Sequence, residues 1–290
     1  MKMWSCEDRV APFVDVFRRS AARADYELNL IEPNEPPKGF VQLKSHYGNL
    51  SPNPERFELA SFRRWYEIAA RVAPDDRFVL ADSDLVVLSR WTDLPDEVRD
   101  HVGLVGSIGA TGDVLEDGIN GGFSVWTGRL LKGFCEFMTA TYESDFCGLQ
   151  ALHAEKVARG NPRASISDMT LLYRWVKEAN IAFLNTNRLI RDREGRAHYI
   201  DHNFFMPEGL GVRFAMSFGR KAVRCHGDAI DLKTCDGDIV IADSLHLGGR
   251  YKIMAKDLES GNRIGLLAKS TYIYGGRKAR EALLRASILR

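Results

Sequence analysis

Asp82 and Asp84 stand one residue apart inside the apolar run of residues 78–88, FVLADSDLVVL. Such a run predicts a central strand of a parallel sheet, where hydrophobics are continuous and acids have no interior place. Side chains alternate along a strand, so both carboxylates are expected to aim at one point while Ser83 faces the other way. Two anions held that close repel, and a divalent cation is the usual remedy. A pair of solvated loop acids is the plainer alternative. Position favours the ligand reading, because open α/β sheets carry their sites at strand ends. Hard oxygen ligands there suit Mg²⁺ or Mn²⁺ shared with phosphate oxygens.

Residues 246–252, HLGGRYK, form an H-x-x-G-x-x-K after the apolar stretch IVIAD. His246 can complete the coordination of a metal, Gly249 lets a phosphate approach the backbone, and Lys252 neutralises it as a point charge. Taken singly, these are an ordinary turn histidine and a surface lysine; the spacing is what joins them. Residues 119–126, INGGFSVW, place Asn120, Gly121 and Gly122 before a strand, where a turn and a sugar contact compete as readings. Residues 167–170, SDMT, open a helix, and either Ser167 or Asp168 could serve only as its cap.

These groups need a scaffold. Residues 2–6, 9–24 and 26–31 read as strand, amphipathic helix and strand, a βαβ opening. The proline-rich 32–39 is a loop, and a helix beginning near 51–55 runs to about residue 72, carrying Arg63 and Arg64 toward the acidic strand. A short helix is expected over 91–101, a strand over 102–107 and a glycine-rich loop over 103–122. Further on, a strand is expected at 121–127, helices at 129–141 and 167–179, and short strands at 181–184, 198–200, 222–225 and 239–242. A basic helix, 278–290, closes the chain, with a solvated face as its plain reading and contact with anionic lipid or nucleic acid as the alternative.

With 290 residues, 45% hydrophobic and 27% charged, the chain can bury a full core, and the expectation is one domain. A net charge of +1 provides no global field for nucleic acid or an anionic membrane. The 5 cysteines are scattered without a CxxC pair, which argues against a disulfide framework or zinc site and for a reducing, cytoplasmic setting. No apolar run approaches the ~20 residues of a membrane span, so a protein at most peripheral to a membrane is expected.

The order of DxD, N-G-G-x-x-x-W, an acid at a helix start and H-x-x-G-x-x-K resembles the metal-dependent GT-A glycosyltransferases, most closely the family 8 retaining enzymes and their bacterial relatives. The likeness covers roughly residues 1–255, and the H-x-x-G-x-x-K is its most specific part. Two departures stand out: Ile253 and Met254 follow the lysine where family 8 has Pro-Trp, and the acidic helix start lacks a D-Q-D triplet.

The resemblance implies an α/β GT-A fold with a Rossmann-like, mixed but mostly parallel sheet flanked by helices. Residues 1–110 would be its nucleotide-binding half, 111–255 its donor-sugar and acceptor half, and 256–290 an extension. It implies Mn²⁺ or Mg²⁺ held by Asp82, Asp84 and His246, with Lys252 and the Gly249 backbone on a nucleotide diphosphate. Ser83 would lie in the same donor pocket. Asn120, Gly121, Gly122 and Asp168 would face the donor sugar, and Arg63 or Arg64 would contact the donor. The implied reaction is transfer from a nucleotide sugar, a UDP-sugar for preference, to an acceptor hydroxyl with retention. The acceptor expected by analogy is a surface polysaccharide precursor. Inversion would need a carboxylate base, for which Asp168 and Asp201 are candidates.

Other classes compete. Asp82-Ser83-Asp84-Leu85-Val86 also fits the nucleophile motif of haloacid-dehalogenase-type phosphatases, with Asp238 and Asp243 as late acids. Yet the strand 239–242 lies between those acids, and the nucleophile strand is far from the chain start. The G-x-G-x-R-L loop that a sugar nucleotidylyltransferase carries after its first strand is absent from residues 6–10. A non-catalytic nucleotide-sugar-binding protein is the remaining class, disfavoured by the full set of metal-ligating residue types.

Overall fold

The run 78–88 forms two strands, Arg77–Ala81 and Leu85–Val87, with residues 82–84 at the break between them. The alternation argument for the paired acids therefore fails, and each carboxylate is placed separately. The structure is a computed structural model that describes residues 1–108, 118–161, 164–226 and 229–288, with the side chains of residues 263 and 277–288 outside the description.

In chain order the elements are β1 (Lys2–Cys6), α1 (Pro12–Arg23), β2 (Glu27–Ile31), α2 (Lys38–His46), α3 (Glu55–Ala69), β3 (Arg77–Ala81) and β4 (Leu85–Val87). There follow α4 (Asp96–Arg99), β5 (Leu104–Ile108), β6 (Ile119–Thr127), α5 (Gly128–Ser144), α6 (Phe146–Ala158), α7 (Asp168–Glu178), β7 (Phe183–Asn185), β8 (Ile190–Arg191) and β9 (Ala197–Ile200). Two small hairpins come next, β10 (Glu208–Gly209) with β11 (Val212–Arg213) and β12 (Met216–Ser217) with β13 (Arg220–Lys221). The chain ends with β14 (Val223–His226), β15 (Ala229–Lys233), β16 (Ile239–His246), a 3₁₀ helix Gly249–Met254, α8 (Ala255–Ser260) and α9 (Arg263–Ile288).

Contacts group the chain into two compact units, each drawn from separated stretches and not following the boundaries at 110 and 255. The first is Met1–Asp8, Glu27–Asp82 and Asp100–Asn187. Its six-stranded sheet has the order β2-β1-β3-β6-β5-β7. β1 runs parallel to β2 and β3, and β5 parallel to β7, while β6 is antiparallel to both its neighbours. This is the mixed, largely parallel α/β sheet expected. Its core joins Phe78 and Leu80 of β3 to Phe62, Trp65 and Tyr66 of α3, Phe134 and Met138 of α5, and Trp175 of α7. Gly128 begins α5 hard against the Ala73 carbonyl, where a Cβ would sit 1.9 Å from oxygen.

The second unit is Arg9–Tyr26, Ser83–Arg99 and Arg188–Arg290. Its sheet runs β14-β15-β16-β9-β8, with β4 also on β16. Here only β16 and β9 are parallel; β14/β15, β15/β16, β16/β4 and β8/β9 are antiparallel. Tyr199, Phe204, Phe214, Val240 and Leu245 form its core with Val16 of α1 and Met254.

The elements the sequence concealed have local reasons. α2 starts directly after Pro37, so the proline stretch that reads as loop also caps a helix. α6 lacks a clear apolar stripe, with only Leu149 and Lys156 buried, and so gives a weak periodic signal. The helix expected over 91–101 is a 3₁₀ turn at Trp91–Asp93 plus α4, separated by Pro95. Of the glycine-rich loop, residues 109–117 lie outside the described residues, and its flanks belong to β5 and β6. Residues 278–288 of the closing basic segment belong to α9, whose first residue is Arg263, and residues 289–290 lie outside the described residues.

Candidate active site

The first acid belongs to β3 and its neighbour. β3 pairs with β6 so that Ala81 faces Phe123, and the Asp82 amide then donates to the Gly122 carbonyl at 2.7 Å. Gly122 in turn donates its amide to Asn120 Oδ1 at 2.7 Å, so Asn120 fixes the backbone that holds Asp82. Gly121 is required for a different reason: a Cβ there would come within 2.4 Å of Trp65 Cη2. Asn120, Gly121 and Gly122 thus lie within β6 itself, which begins two residues earlier than the sequence suggests.

The Arg64 guanidinium bonds the Asp82 carboxylate through Nη1 and Asp168 Oδ2 through Nη2, the latter at 3.0 Å. Trp65 Nε1 donates to the same Asp168 oxygen at 2.9 Å. Asp168 is only 3% exposed, and a buried carboxylate needs such donors. It is the first residue of α7, with Ser167 as the N-cap residue, so Asp168 is released from capping to face α3. Arg63 does not join this group. It donates to Glu67 Oε1 at 2.8 Å and to the Asn34 carbonyl at 2.7 Å, because the next position on α3 faces elsewhere. Trp65 was not foreseen; an indole at one helical step from Arg64 carries no signal in sequence.

The second acid belongs to β4 and β16. Their register sets His246 opposite Leu85, which brings Asp84 beside the imidazole. His246 Nε2 lies 3.1 Å from Asp84 Oδ1, and Lys252 Nζ lies 3.0 Å from Asp84 Oδ2. The Leu247 amide donates to the Asp84 carbonyl at 3.0 Å. Burial opposes ionisation of Asp84, yet the charges and hydrogen bonds of His246 and Lys252 outweigh it and hold the carboxyl well below the usual range. Lys252 also sits over the Phe13 ring, 4.6 Å from its centroid. Gly249 opens the 3₁₀ helix with φ +62, a left-handed conformation that favours glycine. Ser83 is buried and begins the Ser83–Arg99 stretch of the same unit.

The tautomer of His246 follows from one contact. Nδ1 lies 2.8 Å from the His202 carbonyl, which can only accept, so Nδ1 carries a proton and Nε2 is directed at Asp84. A carboxylate plus an imidazole whose far nitrogen is anchored by a carbonyl is a donor set suited to a divalent ion. Asp82 is the second carboxylate of that type in the sequence, two residues before Asp84. Its bond to Arg64 does not exhaust a group with about four lone-pair positions.

Asp201 is not placed as a base. Its carboxylate is fully buried, ion-paired to Lys221 and accepts the His246 amide, leaving it no route to a substrate hydroxyl. Asp243 is likewise committed: Oδ1 accepts from Ser89 Oγ at 2.6 Å and lies 3.0 Å from His198 Nδ1. That use removes one of the late acids on which a phosphatase reading would depend.

No family model matches the sequence. No curated protein matches it either. Among solved structures, the galactosyltransferase LgtC in complex with donor and acceptor sugar analogues is similar over 64% of this chain and 74% of its own, at 12% identity and TM-score 0.36. An active-site mutant of LgtC is similar over the same shares, at 14% identity and TM-score 0.37. A glycosyltransferase involved in glycosylation of the major capsid of PBCV-1 is similar over 56% of this chain and 79% of its own, at 13% identity and TM-score 0.29. Among the described residues no helix is long and apolar enough to cross a membrane.

Proposed function

We propose that the protein is a GT-A-type glycosyltransferase that uses a divalent metal, Mn²⁺ or Mg²⁺, to transfer a sugar from a nucleotide-sugar donor to an acceptor hydroxyl. One observation carries the reading: His246 and Lys252, the two polar ends of the H-x-x-G-x-x-K, both close on the second acid of the DxD, at 3.1 and 3.0 Å. Diphosphate binding needs an ion site and a cation side by side, and that pairing supplies both.

Asp84 and His246 would hold the ion, and Asp82 is the further carboxylate that the DxD offers it. When bound, the ion supplies Lewis-acid neutralisation of the departing diphosphate. Lys252, oriented by Asp84 and Phe13, adds a point charge for a phosphate oxygen. The open backbone at Gly249, where no atom lies within 4 Å of a would-be Cβ, admits that phosphate closely. Ser83 lies between the two acids and would border the same donor pocket.

On the sugar side, Arg64 and Trp65 hold Asp168 oriented, and its carboxylate would accept from a donor-sugar hydroxyl. Asn120, Gly121 and Gly122 would form the wall beside it. With Asp201 committed to Lys221, the reading favours retention, in which the acceptor hydroxyl enters on the leaving-group face and a diphosphate oxygen takes its proton. UDP-sugars are the preferred donors and a surface polysaccharide precursor the preferred acceptor, both by family analogy.

The test is a panel of UDP-, GDP- and CDP-sugars incubated with the protein and Mn²⁺ without acceptor, followed by proton NMR of the released sugar. Slow, chelator-sensitive release from one nucleotide class with the donor's anomeric configuration is expected. Release of phosphate from sugar phosphates, with every nucleotide sugar intact, would contradict the proposal.

A further inference from the structure

A lysine and an aspartate with no exposed side-chain surface lie behind His246. Lys221 on β13 pairs with Asp201, which directly follows β9, and both side chains are 0% exposed. Lys221 Nζ also donates to the Asn203 carbonyl at 2.7 Å and lies 5.3 and 5.0 Å from the ring centroids of Tyr199 and Phe214. Removing two charges from water carries a large desolvation penalty, and well-packed apolar residues often do as well or better for stability. The pair therefore calls for an explanation other than stability.

Its contacts supply one. Asp201 Oδ2 accepts the His246 amide at 3.3 Å, and the Asp201 amide donates to the Ser244 carbonyl at 3.2 Å. The Phe204 amide donates to the His246 carbonyl at 3.1 Å, and the Lys221 amide to the Phe204 carbonyl at 2.9 Å. Residues 201–204 are thereby laced to the end of β16 on one side and to Lys221 on the other. In the middle of that segment is the His202 carbonyl that receives His246 Nδ1–H.

We propose that Asp201 and Lys221 are positioning residues for His246: the buried pair fixes the His202 carbonyl, the carbonyl fixes the Nδ1–H tautomer, and the ring then presents Nε2 to the ion site. The proposal rests on the metal-dependent reading for its consequence, tighter ion binding, but the bond from Nδ1–H to the His202 carbonyl exists independently of any ion. Partners of a ligating histidine are worth about 10- to 100-fold in metal affinity.

The experiment is the double variant Asp201→Asn with Lys221→Met, which removes both charges and leaves neither buried alone. Long-range ¹⁵N–¹H spectra of the histidine rings report the Nδ1 proton of His246 in native and variant protein, and electron paramagnetic resonance of free Mn²⁺ reports ion binding. A protected His246 Nδ1–H in native protein is expected, lost in the variant, with Mn²⁺ bound 10- to 100-fold more weakly. Native protein without that proton, or a variant that keeps it or binds Mn²⁺ as the native protein does, overturns the proposal. Native protein that shows the proton, loses it in the variant and binds no Mn²⁺ overturns the metal reading while the positioning role stands. If the variant does not fold, the native spectrum with and without Mg²⁺ decides: the Nδ1 proton must persist in both.

Discussion

Asp84 and His246 approach within 3.1 Å because β16 and β4 are antiparallel neighbours in a register that sets His246 against Leu85. The contact is thus a property of strand pairing, which backbone hydrogen bonds hold, and not of two flexible loops. The two acids of the DxD are held by different strands, Asp82 by β6 and Asp84 by β16. Replacing either acid is accordingly expected to remove a ligand without moving the other.

Asp84→Asn should lower metal-dependent donor hydrolysis by about 100-fold or more, since a neutral amide neither binds the ion as strongly nor orients Lys252. Its melting temperature should also fall, because His246 and Lys252 lose a buried ionised partner. Donor hydrolysis rates and thermal melts of the two proteins check this together.

Trp65→Phe keeps the aromatic packing against Trp126 and Phe134 but deletes the Nε1–H donor to Asp168. Leaving a buried carboxylate short of one donor costs about 1–3 kcal/mol. Denaturant titration should show that loss, and KM for the donor should rise as Asp168 loses its fixed orientation. An unchanged KM would place Asp168 outside the donor site.

Gly121→Ala puts a methyl 2.4 Å from Trp65 Cη2, well inside contact distance. Overpacking of this kind costs about 1–3 kcal/mol, and the displaced indole would disturb Asp168 as well. Gly249→Ala differs: no atom obstructs a Cβ, but φ +62 disfavours it. It should cost about 1 kcal/mol of stability, with a larger loss of nucleotide affinity if phosphate approaches that backbone. Isothermal titration with the nucleoside diphosphate in Mn²⁺ measures the second effect.

Burial, aided by the Lys221 and His246 charges and opposed by Asp201, pushes the His202 imidazole down from 6.5 to about 4. Between those values the unfolded chain binds the proton and the folded chain does not, so stability falls as pH drops through that window and levels off below it. The limit is on the order of 3 kcal/mol. His198 acts in the opposite sense: burial lowers its affinity for the proton, but hydrogen bonds and charges from Asp243 and Asp192 raise it overall, so its contribution is lost as pH rises through the raised value. His202→Gln should therefore flatten only the acid side of the profile, between about pH 6.5 and pH 4. Urea unfolding across that range measures it.

Much of the scaffold was readable because its signals are local. The strand–helix–strand opening and the α3 stripe of Phe62, Tyr66 and Ala69 follow from apolar periodicity. The association of Asp84 with His246 and Lys252 was readable only through motif order, since nothing local links residues so distant in sequence. Arg63 and Arg64 could not be told apart, as neighbouring helix positions differ by a rotation that sequence does not anchor. Asp201 and Lys221 were opaque for another reason: burial of a charge pair depends on tertiary packing, and both residue types normally read as surface. The split of the DxD between two strands is hidden in sequence because the run 78–88 has no glycine or proline to announce the break, and its Asp-Ser-Asp reads as well for a ligand site as for a turn.

The central claim is that Asp84 and His246 serve one divalent ion. Electron paramagnetic resonance titration of Mn²⁺ into native protein and into His246→Gln and Asp84→Asn tests it most directly. The account predicts a single site in native protein, weakened at least tenfold in each variant and tightened in native protein by UDP. Native protein that leaves Mn²⁺ free at millimolar concentration with UDP present, or variants that bind it undiminished, would contradict it.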